Sequence, residues 1–181
     1  MQGLAIREST IEDAEKIAHI NTLTWGDSYA GIVSDAILEK VDWTERRKWQ
    51  QEIYAAGQKK SFVATIDNEI VGYCNTGPMN TPDEIPAVSN SDFKGNEKEW
   101  GEIYSIYVLK SYQRLGIGTM LFERAKHALT ALGYKQFQTY ALRNNIPALN
   151  FYSSLGGVQI ATRNWSNGEE TYKEIGLAFY I

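Results

Sequence analysis

With a single cysteine, Cys74, the chain cannot form an internal disulfide, and this fits a reducing compartment. A cytoplasmic protein is therefore expected. No apolar run approaches the roughly 20 residues that cross a bilayer. The opening Met1-Gln2-Gly3-Leu4 lacks the basic-then-apolar order of a secretory leader. Neither a membrane span nor a leader is expected. Basic residues are in the minority, 18 Lys and Arg against 22 Asp and Glu, for a net charge of −4. That balance, with a pI near 5.3, argues against a general nucleic-acid binder, which carries a basic surface. There is no internal repeat and no low-complexity tract. His19 and Cys74 have no second histidine or cysteine at ligand spacing, so no metal site is expected, and Cys74 reads as a small buried residue rather than a nucleophile.

What the chain does have is 43% hydrophobic and 12% aromatic residues over 181 positions, enough for one globular domain spanning 1–181. Its organising stretch is Tyr112-Gln113-Arg114-Leu115-Gly116-Ile117-Gly118-Thr119. Before it, Glu102 to Leu109 is rich in β-branched, aromatic and aliphatic residues and reads as a central strand buried on both faces. After it, Leu121, Ala125, Ala128, Leu129 and Leu132 recur at helical spacing until Gly133. A glycine-bearing turn thus leads from a strand into a helix. Amides at a helix N-terminus are unpaired and carry partial positive charge. Without a Cβ on Gly116 or Gly118, an anion can approach them. The turn reads as a phosphate or pyrophosphate site.

The remaining elements follow in order. Leu4 to Arg7 is a short strand, and Thr10 caps a helix buried through Ala14, Ile17 and Ile20. Trp25-Gly26-Asp27-Ser28-Tyr29-Ala30-Gly31 reads as an aromatic, turn-rich segment. Helices are expected from Ser34 and from about Thr44. Trp43, Trp49 and Tyr54 could line a pocket or fill core. Ser61–Ile66 and Ile70–Asn75 form a hairpin around Asp67-Asn68-Glu69. Gly77 to Lys98 holds three of the four prolines and reads as a long loop, functional or mobile. Beyond the central unit come a strand at 136–141, a helix from about Asn145 that contains Tyr152, and two strands joined by Asn167-Gly168. The fold class expected is mixed α/β, a mixed sheet of about seven strands with helices on both faces.

A Walker loop needs Gly-Lys-Ser/Thr, and a dinucleotide fingerprint needs a third glycine where Leu121 stands. The pattern Gln/Arg-x-x-Gly-x-Gly/Ala is met by Gln113, Gly116 and Gly118, and a second pattern, Asn-x-x-Ala-x-x-Phe-Tyr-x-x-x-Gly, by Asn145, Ala148, Phe151, Tyr152 and Gly156. With both motifs in order, and the element order besides, nearly the whole chain resembles the GCN5-related N-acetyltransferase (GNAT) superfamily. One departure is Gly157, where phenylalanine is usual.

The resemblance implies an acetyl-CoA-dependent N-acetyltransferase that joins acetyl-CoA and a primary amine, of a small molecule or peptide, in a ternary complex. It implies coenzyme A binding through Gln113, Arg114, Leu115, Gly116, Ile117, Gly118 and Thr119. It further implies backbone contacts from Ile106, Tyr107 and Val108, with Leu109 beside them, and side-chain contacts from Asn145 and Tyr152. The resemblance also implies that the mixed sheet is largely antiparallel. Tyr152 would protonate the departing thiolate. Glu102, eleven positions before Gln113, would be the base, with Glu99 as stand-in. Each has a plainer alternative: a solvated strand end for Glu102, a core ring for Tyr152, a helix cap for Asn145. Trp25 and Tyr29 are candidates for one wall of the acceptor site, and the 77–98 loop for its cover. Acidic residues Asp83, Glu84, Glu99 and Glu102 would suit a cationic acceptor. Homodimers are frequent in the superfamily. A non-catalytic coenzyme A sensor on the same fold is the alternative function, and a protein that takes ATP on the glycine turn is a third.

Overall fold

The computed structural model describes residues 3–79, 99–167 and 170–181. Seven strands and five helices are assigned among them: β1 (Leu4–Glu8), α1 (Ala14–Tyr29), α2 (Asp35–Leu38), α3 (Trp43–Ala55), β2 (Lys60–Ile66), β3 (Glu69–Pro78), β4 (Trp100–Val108), α4 (Ile117–Ala131), β5 (Gln136–Leu142), α5 (Ile146–Ser154), β6 (Val158–Asn167) and β7 (Glu170–Tyr180). The strands form one sheet in the order β1-β2-β3-β4-β5-β7-β6. The pair β4–β5 is parallel, while β1–β2, β2–β3, β5–β7 and β6–β7 are antiparallel. By internal contacts the chain divides into two compact units, Met1–Gly77 with Ile103–Ala128, and Pro78–Glu102 with Leu129–Ile181.

In the first unit, neighbouring residues of β2 show why helices cover both faces. Side chains alternate along a strand. Val63 joins Ile17 and Ile20 of α1 in one core cluster with Ile70 and Tyr73. Phe62, next to it, points the other way, and the Arg124 guanidinium of α4 lies 4.5 Å from its ring centroid. Both β2 residues are fully buried. The β2–β3 turn is a two-residue hairpin in which Asp67 and Asn68 both have positive φ, the conformation that Asp and Asn tolerate. Entry to α1 is held by Asp13, which accepts from the Thr10 amide at 2.8 Å and pairs with Arg7 at 2.6 Å. That hydrogen bond to Arg7 holds the Asp13 carboxyl below its ordinary range.

Four readings change. The segment Trp25–Tyr29 is the last part of α1, not a turn; the Ala30 amide bonds the Gly26 carbonyl, and the chain turns at Gly31 with φ +73°. An isolated glycine inside a helix costs only about 1 kcal/mol, which tertiary packing overrides. Leu132 lies past the end of α4 and is 37% exposed, because the helix stops one residue earlier. The middle of β4, residues 104–107, is half-buried rather than buried on both faces. Gly77 and Pro78 belong to β3, and 80–98 falls outside the described residues, as do Asp83 and Glu84. Gly168, of the expected Asn167-Gly168 turn, does too, though Asn167 pairs with Glu170 across it.

The second unit is built on the β5–β7–β6 ladder. Its core holds Met79, Trp100, Ile160 and Ala178, and Phe137 stacks on Phe179 at 4.9 Å. Gly101 lies against Leu129; a Cβ there would sit 2.6 Å from a Leu129 methyl.

Candidate active site

The glycine turn belongs to the first unit. Gly72 on β3 lets β4 come close, since a Cβ there would lie 2.8 Å from the Tyr107 carbonyl oxygen. The Leu109 amide then bonds the Val71 carbonyl at 2.9 Å, pinning the end of β4. Gln113 reaches back, its Nε2 donating to the Val108 carbonyl at 3.0 Å. The backbone takes positive φ at Arg114 (61°) and Gly116 (83°), which turns the chain into α4. The first helical bond runs from the Met120 amide to the Gly116 carbonyl. The amides of Ile117, Gly118 and Thr119 therefore have no carbonyl one turn back within the helix. Nothing lies within 4 Å of where a Cβ on Gly116 would be. Gln113, Arg114, Leu115, Gly116 and Thr119 are exposed, Gly118 is half-buried and Ile117 is buried as the anchor of the helix. The result is an open turn of backbone donors that includes the exposed Arg114, suited to an anion.

An aromatic cluster also belongs to the first unit. Trp25 and Tyr29 lie 4.7 Å apart, with the Arg46 guanidinium 4.8 Å from the Trp25 ring centroid. The Tyr29 and Tyr107 hydroxyls are 3.2 Å apart, and Tyr107 packs on Tyr73. Burial, with Tyr107 beside it, pushes the Tyr73 hydroxyl well up, and Asn21 donates to it. The two acceptor-wall candidates are thus brought together with Tyr107. Trp43 instead stacks on His19 at 4.5 Å, and Tyr54 donates to Ser9, so these two pack or cap within the unit. Cys74 is fully buried and its thiol is pushed up by that burial.

Glu102 belongs to the second unit and is no solvated strand end: it is 6% exposed. It pairs in register with Gln138 of β5, the last of three parallel pairs between these strands. Gln138 and Tyr140 share a face of β5, as period-two alternation requires. Their β7 partners are Ala178 and Gly176, and Gly176 is where the Tyr140 ring needs a missing Cβ. The Arg163 guanidinium of β6 lies 3.6 Å from the Tyr140 ring centroid and pairs with Glu174 at 2.7 Å. Burial alone would pull the Arg163 guanidinium down, but Glu174, with Tyr140 and Glu102, outweighs it and holds it above its ordinary value. Glu102, Gln138, Tyr140, Arg163 and Glu174 therefore form one polar face, of which only Glu102 was marked in the sequence. Its signal was Gln136, Gln138 and Tyr140 at alternate positions of one strand. Glu99 is exposed.

Asn145 and Tyr152 lie on α5, also in the second unit. Asn145 caps the helix, its Oδ1 accepting from the Ala148 amide at 3.2 Å. Tyr152 is 6% exposed, between Phe151 and the edge of Phe179. Gly157 has a local reason: a Cβ there would lie 2.8 Å from Phe179 and 2.9 Å from the Tyr152 carbonyl oxygen. The ring of Phe179 occupies the space beside 157. Among the described residues no three His, Cys, Asp or Glu side chains gather as a metal site would need, and no helix is long and apolar enough to cross a membrane.

A family model described as "Acetyltransferase (GNAT) family" matches residues 17–156. The chain belongs to that family: it is an N-acetyltransferase. It is 25% identical over 178 residues to the uncharacterized N-acetyltransferase YuaI of Bacillus subtilis, covering 97% of this chain and 92% of that one. It is 28% identical over 171 residues to an N-alpha-acetyltransferase of Sulfurisphaera tokodaii, covering 92% and 89%. The fold matches the PaiA N-acetyltransferase of Thermoplasma acidophilum, solved in complex with coenzyme A, with a TM-score of 0.73, 17% identity and coverage of 98% and 99%.

Proposed function

We propose that this chain, as one domain over 1–181, transfers an acetyl group from acetyl-CoA to the primary amine of a small molecule or peptide by direct attack. The observation that carries the reading is the open donor cradle between Gln113 and Thr119, tied to β4 through Val108. The pyrophosphate of acetyl-CoA takes the amides of Ile117, Gly118 and Thr119, with Arg114 at its edge. The pantetheine arm pairs with backbone of Ile106, Tyr107 and Val108, and Asn145 adds its side-chain amide. Backbone amides in the same part of β4 stabilise the oxyanion of the tetrahedral intermediate.

An alkylamine holds its proton at neutral pH, with a pKa of about 10. Glu102 accepts that proton. The amine nitrogen bonds the acetyl carbon, the carbon–sulfur bond breaks, and Tyr152 gives its hydroxyl proton to the sulfur. Bringing both substrates together supplies much of the acceleration. Glu102 and Glu174 outnumber Arg163 on the polar face, which favours an acceptor that arrives as an ammonium. Trp25 and Tyr29 form a wall for its carbon skeleton. We place the enzyme in the cytoplasm, where the lone thiol of Cys74 stays reduced, and propose a homodimer, to be read by light scattering.

The test is calorimetric titration of acetyl-CoA, with ATP and NAD as controls, followed by thiol release with a panel of amines. The panel includes a polyamine, an aminoglycoside and a peptide with a free N-terminus. Micromolar binding of acetyl-CoA alone, and thiol release with one acceptor class, is the expected result. Equal binding of ATP, or no binding, overturns the assignment of the turn.

A further inference from the structure

We propose that Gln138 is a positioning residue for the acetyl transfer, its amide anchoring a buried water that passes the acceptor's proton to Glu102. This rests on Glu102 being the base, as proposed above. Gln138 has no exposed surface, and among the described residues neither its Oε1 nor its Nε2 has a hydrogen-bond partner. Burying a polar group without a partner is costly, so a fold that keeps an amide there provides it with a companion. Water is that companion when the site is polar and offers two to four partners.

The register supplies them. Gln138 and Glu102 are paired across parallel strands, so their side chains leave the same side of backbones about 4.8 Å apart. The Gln138 oxygen, the Gln138 nitrogen and the Glu102 carboxylate make three partners, the usual number for a buried water. Across β7 the partner of Gln138 is Ala178, whose side chain is a single methyl. Further along the same face, Tyr140, Arg163 and Glu174 are half-buried, while Glu102 and Gln138 are buried. The base thus lies deeper than the part of the face open to solvent, and an amine at that open end reaches it through a relay. The relay balances. An N–H bond of the ammonium breaks, the water takes that proton and gives one of its own to Glu102, and a neutral amine and a carboxylic acid remain.

Two measurements test this. In 15N-labelled protein loaded with coenzyme A, the side-chain amide protons of Gln138 show a cross-relaxation signal to a long-lived water; absence of that signal overturns the proposal. In kinetics with spermidine and with a peptide bearing a free N-terminus, Q138L lowers kcat about 10- to 100-fold. Its KM for acetyl-CoA stays within about twofold, since the substitution removes no ground-state contact with the donor. The double variant E102Q/Q138L is no slower than E102Q, because the two residues serve one path; a merely structural glutamine would give losses that multiply. Q138M replaces Q138L if the latter fails to bind acetyl-CoA. Wild-type kcat in Q138L with a slow E102Q overturns the role of Gln138 alone. Wild-type kcat in E102Q overturns the base assignment and this proposal with it. If neither acceptor turns over, the water signal decides.

Discussion

The glycine turn and the Glu102 face are made on opposite plans. The turn is backbone, open, and local in sequence: seven consecutive residues, Gln113 to Thr119, with empty space over Gly116. The Glu102 face is side chain, buried at Glu102 and Gln138, and assembled from β4, β5, β6 and β7, with Arg163 held by Glu174 over the Tyr140 ring. A donor with an invariant phosphate group suits the first plan, because any residue supplies an amide and only conformation has to be specified. A proton transfer suits the second, because it needs one particular carboxylate in one particular field. Substitutions on the face should therefore change rate, and substitutions in the turn should change affinity.

The largest effect expected is from E102Q, which keeps shape and removes the proposed base. We expect kcat to fall about 10²- to 10³-fold, with acetyl-CoA affinity unchanged by calorimetry. Raising the pH toward the pKa of the amine should recover part of the loss, since the acceptor then arrives neutral. Unchanged turnover in E102Q would remove Glu102 from the chemistry and break the comparison. Tyr152→Phe is next. Its ring packing against Phe151 and Phe179 survives, so folding should be nearly untouched. We expect kcat about 10²-fold lower, at the low end of the range for a lost general acid, with acetyl-CoA binding within threefold (~0.6 kcal/mol). Wild-type turnover would leave Tyr152 as a core residue only.

The same contrast explains what was legible in the sequence. The sheet, its strands and the helix N-terminus at Ile117 follow from periodicity and glycine placement, which are local. Trp25–Tyr29 was misread because aspartate, serine and glycine signal turns locally, whereas the helix is kept by packing of Ile17 and Ile20 on Val63 and Tyr73. Gln138, Tyr140, Arg163 and Glu174 could not be joined to Glu102 from sequence, because cross-strand register is a long-range property. Gly157, a departure from the family pattern, made sense only once Phe179 was seen against it.

In the turn, Gly116 separates conformation from space. Its φ of +83° disfavours a side chain, yet nothing stands near its Cβ position. Valine should weaken acetyl-CoA binding about tenfold, since a β-branched residue strains this region by roughly 1–3 kcal/mol. Asparagine, which tolerates positive φ, should bind within about threefold of wild type. Equal weakening by both would mean that the side chain obstructs the ligand, not that the backbone resists the fold.

The smallest effect expected is from Gln113→Ala. The Gln113 side chain makes one hydrogen bond, to the Val108 carbonyl, and it spans the turn rather than the anion. A half-exposed neutral bond of this kind contributes about 0.5–1.5 kcal/mol. Its loss should loosen the turn in the free protein more than in the bound one, so acetyl-CoA affinity should fall about threefold while kcat holds at saturating donor. The salt dependence of binding should not change, because no charge is removed. By contrast, Arg114→Ala should flatten that dependence. If Gln113→Ala instead lowers kcat at saturation, the turn and the face are not separable, and the division between a backbone-made donor site and a side-chain-made proton path fails.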